Sequence, residues 1–261
     1  MAISPRLEKL FEIIFEDADL LVVNKSAGLV CHPTKNGEMS SLIGRARLHL
    51  LSTLNSQPST SVEPHLINRL DRETSGVVLI AKNSAVAGEL GKILESRAIE
   101  KEYLAIVHGH VAAGQGTIDA PLGKDEHSIV AVKDCVRPDG APSQTEFFVE
   151  RRFSRNEGNF SLLKILPRTG RKHQIRIHLA HIGHAVVGDK LYGGDEDIYM
   201  ALVQNRLTPE QRAKLIFENH ALHARSLKFL WRGNRIEFSC EPETWFSKFL
   251  RGMPVDEIFF P

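Results

Sequence analysis

From Gly76 to Ala81 the chain reads Gly-Val-Val-Leu-Ile-Ala, apolar throughout and without alternation or charge. A run of this kind suits a strand hidden inside a sheet, and it is far too short to cross a bilayer. Other strand signals surround it. Residues 20–24 form one that ends in the polar turn around Ser26-Ala27-Gly28, and residues 103–107 form another. Residues 128–132, 146–149 and 160–166 read as further strands, separated by Gly- and Pro-containing turns such as Arg137-Pro138-Asp139-Gly140. Residues 225–230 and 235–239 predict a late hairpin around Gly233-Asn234.

Helical spacing is scattered between these strands. Leu42, Ile43, Ala46 and Leu50 mark a helix within 39–51; Val86, Leu90, Ile93 and Leu94 mark a second, weakened by Gly88 and Gly91. Thr208-Pro209-Glu210-Gln211 is a helix start with Thr as N-cap, Pro at N1 and Gln at N3. Residues 52–64 are polar and turn-rich, an exposed loop. The elements lack the regular alternation of a doubly wound fold, and no repeat, heptad or low-complexity tract divides them. The expected fold is α+β, a mixed but mostly antiparallel sheet flanked by helices and loops, as a single domain over residues 1–261.

At 261 residues, 42% hydrophobic and 25% charged, the chain has the composition of a globular protein, which excludes wholesale disorder and collagen-like structure. Cys31, Cys135 and Cys240 are odd in number and far apart, so they read as unpaired thiols in a reducing compartment. Glu8, Glu12, Glu16, Asp17 and Asp19 interrupt the N-terminal stretch, unlike a signal or transit peptide. A cytoplasmic protein is expected, and, with no interface pattern standing out, a monomer. The formal charge of +1 hides a local pattern. Residues 161–188 hold Lys164, Arg168, Arg171, Lys172 and Arg176 and no acid, a net +5; residues 189–199 carry −3. Such a stripe offers a footprint for phosphates on a neutral molecule, or else a solvated face.

Three constellations could carry chemistry. In His65-Leu66-Ile67-Asn68-Arg69-Leu70-Asp71-Arg72-Glu73-Thr74-Ser75-Gly76, an aspartate sits between two arginines just before the apolar strand. Nearby cations favour its ionised form, which suits a nucleophile better than an acid. Glu73 could join it as a paired-carboxylate site, or the segment could be a loop ion-pair network. In the second, Ile175, Leu179 and Ile182 share a helical spacing and Gly183 suits the C′ position; a strand reading also exists. A helix would place the Gly170-Arg171-Lys172 turn at its N-terminus, where a phosphate is favoured. The third is the series His173, His178, His181, His184, either metal ligands or hydrogen-bonding imidazoles; neither HExxH nor clustered Cys accompanies it.

Taken together these segments resemble the RluA-type family of pseudouridine synthases. The resemblance rests on Arg69-Leu70-Asp71-Arg72-Glu73-Thr74-Ser75-Gly76 with Ala81-Lys82, on Lys101-Glu102-Tyr103, and on Thr169-Gly170-Arg171 with His173-Gln174-Ile175-Arg176-Ile177-His178. Gly188-Asp189, Leu191-Tyr192-Gly193 and Leu222-His223-Ala224 continue it, so that it covers about residues 16–238. Asn68 stands where the family usually has His, and Ser26 where it has Pro. The resemblance implies a pseudouridine synthase fold without an N-terminal S4 domain, acting on tRNA or large-subunit rRNA with no cofactor and no metal. It assigns Asp71 as catalytic nucleophile, Tyr103 as the active-site tyrosine and Arg176 as the partner of Asp71. Arg69 would brace the vacated base stack, with Arg72, Arg171, Lys172 and His173 also meeting RNA. The rival expectations are a non-catalytic RNA-binding module and a His-cluster metal-dependent hydrolase.

Overall fold

A computed structural model describes residues 10–53 and 63–259; most of the loop expected at 52–64 lies outside the described residues. In chain order the first half holds β1 (Phe11–Glu16), β2 (Leu20–Lys25), α1 (Leu42–Thr53), β3 (His65–Leu66), β4 (Ser75–Ala81), α2 (Ser84–Glu95) and β5 (Glu100–His108). Then come β6 (Gln115–Asp119), β7 (Leu122–Lys124), β8 (Asp134–Val136), β9 (Gln144–Arg155), β10 (Gly158–Pro167) and α3 (Gln174–His181). The last part comprises α4 (Glu196–Val203), α5 (Pro209–Leu215), β11 (Leu222–Trp231), β12 (Asn234–Ser239), α6 (Thr244–Leu250) and α7 (Val255–Phe259). Ten of the strands form one sheet in the order β1-β2-β4-β11-β5-β10-β9-β6, with β12 on β11 and β3 on β4; β7 and β8 pair separately. All the strand pairs are antiparallel except β11 with β4.

The unbroken apolar run of β4 has a direct cause. Val78 and Ile80 face a core that includes Leu42, Ala46 and Leu50 of α1, while Val77, Leu79 and Ala81 face Val86 and Leu90 of α2. Both pleat faces are covered, which suits an apolar residue at each position from Val77 to Ala81. A larger core lies beneath the other half of the sheet, where Phe160 and Leu163 meet Phe217, Phe246 and Phe249. The capping box of α5 forms as its sequence requires. The expected strand at 128–132 does not. Val130 is buried, but Ile129 is 68% exposed, and Asp125 bonds across to Lys133 to close a loop between β7 and β8. Among the described residues no strand pairs with this segment, so its local β preference has nothing to pair with.

One register row crosses the sheet and sets the position of everything that follows. Phe11, Lys25, Gly76, Ala224, Tyr103, Ile165, Phe147 and Gly116 are successive partners from β1 to β6. Gly76 lies at the parallel β4–β11 junction with φ +117, and a Cβ there would stand 2.2 Å from the backbone oxygen of Ala224. Only glycine permits that approach. Before this junction, β3 and its extension run along the same edge of β4. The Asn68 amide continues the ladder, donating to Val77 O at 3.1 Å and accepting from Leu79 N at 2.8 Å. The residues that follow, Arg69 to Thr74, then leave the sheet as a loop above the row. Replacing Asn68 by Ala should lower the unfolding free energy by about 1–3 kcal/mol, since two buried backbone groups lose their partners. Urea denaturation reads this directly; an unchanged midpoint and slope would remove Asn68 from the account of how the loop is held.

Candidate active site

The loop bearing Asp71 is pinned from below. The fully buried Lys25 ammonium donates to Ser26 O at 3.0 Å, Leu29 O at 2.8 Å and Arg72 O at 3.1 Å. Burial pulls its pKa down to about 8, although Cys31, Glu243 and Asp71 oppose that. Gly28 N also donates to Arg72 O, and the Cys31 sulfur bridges Leu70 N and Leu70 O. On the far side, the Thr74 hydroxyl bonds His220 Nε2 at 2.7 Å. His220 is buried, and this drives its pKa down to about 3, so the ring is neutral. Glu73 turns away from Asp71. Its carboxylate accepts from Lys190 Nζ at 2.6 Å and from His220 N at 3.2 Å, so the paired-carboxylate arrangement does not form.

The second half of the site is α3, which the helical reading anticipates. Ile182 and Gly183 close it, with Gly183 at φ +81. At its start, the buried Gln174 amide accepts from Thr169 Oγ1 and Arg171 N and donates to Gln144 O and Thr145 Oγ1. That one side chain ties the Thr169-Gly170-Arg171 turn to β9. Arg176, two residues on, reaches two carboxylates. Its Nη1 donates to Asp71 Oδ2 at 2.9 Å, while Nε and Nη2 grip Asp189 at 2.6 and 2.9 Å. Asp189 has no exposed side-chain surface, and its Oδ1 accepts from Leu191 N and Tyr192 N as well. Arg176 also lies over the Tyr192 ring at 5.0 Å.

These contacts decide the charge at the centre. Burial alone would raise the Asp71 carboxyl, but the Arg176 guanidinium beside it holds it below the ordinary carboxylate range. Its side chain nevertheless keeps 29% of its surface exposed, whereas Asp189 is sealed. The Tyr103 phenol is pushed well above its usual range, by burial and then by the Asp71 charge. Burial lowers His173 although Asp71 opposes it; its Nδ1 meets Tyr192 OH at 2.9 Å and its Nε2 lies 3.9 Å from Asp71.

A cleft of about 1080 Å³ opens above the row, and its lining contains every residue to which the resemblance assigns a role: Asp71, Tyr103, Arg176, Arg69, Arg72, Arg171, Lys172 and His173. The basic stripe is not one continuous face. Arg168 is held by Glu146 at 2.7 and 2.8 Å, Lys172 by Asp134 at 3.0 Å, and Lys164 lies over the Phe148 ring. The histidine series disperses as well. His178 is buried between Ala120 O and Thr145 Oγ1, and His184 bonds His108 O. Lys25, Gln174, Asp189 and His220 escape sequence reasoning as parts of the site. Asp189 and Gln174 carried a signal, as members of the Gly188-Asp189 and His173-Gln174-Ile175-Arg176 motifs.

A family profile described as RNA pseudouridylate synthase matches residues 19–181. An uncharacterized RNA pseudouridine synthase of Aquifex aeolicus is 36% identical over 236 residues, covering 89% of this chain and 70% of that protein. The ribosomal large subunit pseudouridine synthase D of Zymomonas mobilis is 33% identical over 232 residues, covering 88% and 68%. Among solved structures, human RNA pseudouridylate synthase domain containing 1 superposes with a TM-score of 0.69 at 25% identity, over 94% of this chain and 87% of that one.

Proposed function

The chain belongs to the RNA pseudouridylate synthase family, isomerases acting on RNA, and from that premise we propose that it converts a uridine of large-subunit ribosomal RNA to pseudouridine in the cytoplasm, with Asp71 as the catalytic group. The ribosomal substrate is supported by the name of the Zymomonas mobilis relative. The observation that carries the catalytic assignment is the asymmetry of the two carboxylates on Arg176. Both are held ionised, but only Asp71 opens to the cleft.

In the reaction the N1–C1′ bond of the uridine breaks, the uracil turns, and a C5–C1′ bond forms. The C5 proton leaves and N1 takes one up, so nothing is added or lost overall. A single ionised carboxylate facing C1′ suits this chemistry, because no water needs activation. Tyr103 stays a phenol at neutral pH, so it meets the base through its ring and hydroxyl rather than as a phenolate. The target nucleotide must leave its stack to reach Asp71. Arg69, exposed and with no side-chain hydrogen bond or ion pair among the described residues, suits the space left behind. Arg72, Arg171 and His173 lie along the same cleft, and Lys172 would exchange Asp134 for a phosphate.

Tritium release from [5-³H]uridine-labelled ribosomal RNA and transfer RNA tests the proposal. Release from large-subunit ribosomal RNA is expected. Release from transfer RNA alone would move the substrate class, and release from neither would refute the isomerase reading. The pH profile has a defined sign. A carboxyl held below its ordinary range stays ionised down to that lowered value, so the acid limb of kcat/KM should lie below the ordinary aspartate range. An acid limb near neutrality would contradict Asp71 as the ionised group.

A further inference from the structure

Several cations line the cleft, and Lys101 differs from the rest. Arg69, Arg72, Arg97 and Arg171 are exposed to solvent. Lys101 is partly buried, yet its ammonium has no hydrogen bond or ion pair among the described residues. Other withdrawn cations near the site are saturated: Lys25 by three carbonyls, Arg176 by two carboxylates, Lys190 by Glu73 and Glu218 O. A desolvated ammonium without a counter-ion is unfavourable, and burial accordingly lowers the Lys101 pKa. No described residue supplies the missing partner, and an anion in the cleft would fit it.

From the placement of this unpaired ammonium beside Tyr103 on β5, we propose that Lys101 binds the RNA backbone phosphate adjoining the reacting nucleotide. Lys101 precedes Tyr103 by two residues on one strand, so both side chains leave the same face, about 6–7 Å apart. Asp71 perturbs Tyr103, whereas the shift at Lys101 comes from burial alone. Lys101 therefore lies one strand repeat beyond Tyr103 along the cleft, within reach of a phosphate next to a nucleotide held at Tyr103. Its Nζ lies against Gly170, 3.8 Å from where a Cβ would stand. Gly170 itself puts no side chain against the ammonium. The contact is blind to base identity: it fixes register along the strand rather than choosing the uridine.

The inference rests on the isomerase reading, and its test separates the two. Lys101→Met and Lys101→Arg are compared with the unaltered protein in three measurements. These are tritium release from large-subunit ribosomal RNA, binding of a short single-stranded RNA across a salt series, and thermal unfolding. The Met variant should raise KM about tenfold with kcat within about twofold. Its slope of log K against log salt should be shallower by about 0.7, the loss of one single-strand phosphate contact. Its Tm should hold or rise by about 2–4 °C, because an unpaired buried charge has gone. The Arg variant should restore KM and slope. Wild-type KM and salt slope in the Met variant would overturn the inference, as would a fall in Tm of several degrees that Arg does not rescue, which marks a structural ammonium. If no form of the protein releases tritium, the isomerase reading fails on its own, and the salt slope still decides whether Lys101 meets a phosphate.

Discussion

Asp71→Asn should abolish tritium release, lowering kcat by at least about 10⁴-fold, while the fold and RNA affinity stay close to those of the unaltered protein. The substitution keeps the shape and one acceptor oxygen toward Arg176 Nη1, which donates to Asp71 at 2.9 Å. It removes only the charge. Arg176 retains its bidentate pair with Asp189, so the buried guanidinium is not stranded. The loop is held by backbone groups and by Lys25, Cys31 and Thr74, none of which contacts the Asp71 carboxylate. Single-turnover assays, RNA binding and thermal unfolding on one preparation separate these effects. Turnover within tenfold of wild type would remove Asp71 as the reacting group. Lost turnover together with a collapsed Tm would instead mean that the charge is structural.

The separation between a chemical and a structural role explains which parts of the site were legible in the sequence. Asp71 is legible because its cationic neighbours Arg69 and Arg72 and the following strand are contiguous with it, and Arg176 because a short helix is written around it. Even so, the two lie 105 positions apart, and only the motif order suggests that they meet. Lys25 could not be read as buried. Its place comes from a row spanning β2, β4, β11 and β5, and register across non-adjacent strands has no local signal. The +5 stripe misleads for a related reason: a charge sum over 161–188 does not see Glu146 and Asp134, which arrive from β9 and β8. In the fold, the strands buried on both faces or bounded by turns were readable. At 128–132 the residues favour a strand but no described strand pairs with them. Local preference sets what a segment can do, while the availability of a neighbour sets what it does.

Arg176→Met is the second large perturbation, and it acts on both carboxylates together. Asp189, without exposed side-chain surface, keeps its two backbone donors but loses its cation, and breaking a buried pair from one side costs about 3–5 kcal/mol. At Asp71 the sign of the pKa shift reverses. Burial, the largest influence, is opposed chiefly by Arg176, so without the guanidinium the carboxyl should rise above its ordinary value. In the unaltered protein, the depressed Asp71 stabilises the fold above the ordinary aspartate pKa, and that contribution is lost as pH falls through the depressed value. In the variant, folding favours the protonated acid, so stability should fall as pH rises through the ordinary range, and the acid limb of kcat/KM should move toward neutrality. Asp189→Asn distinguishes the two partners. Its amide oxygen can still accept from Leu191 N and Tyr192 N, and Arg176 is left with Asp71 as its one charged partner, so the acid limb should not move up. A limb that shifts equally in Arg176→Met and Asp189→Asn would mean that Arg176 acts by holding the Asp189 turn in place. A shift confined to Arg176→Met would make the guanidinium charge itself the reason Asp71 is ionised when RNA arrives.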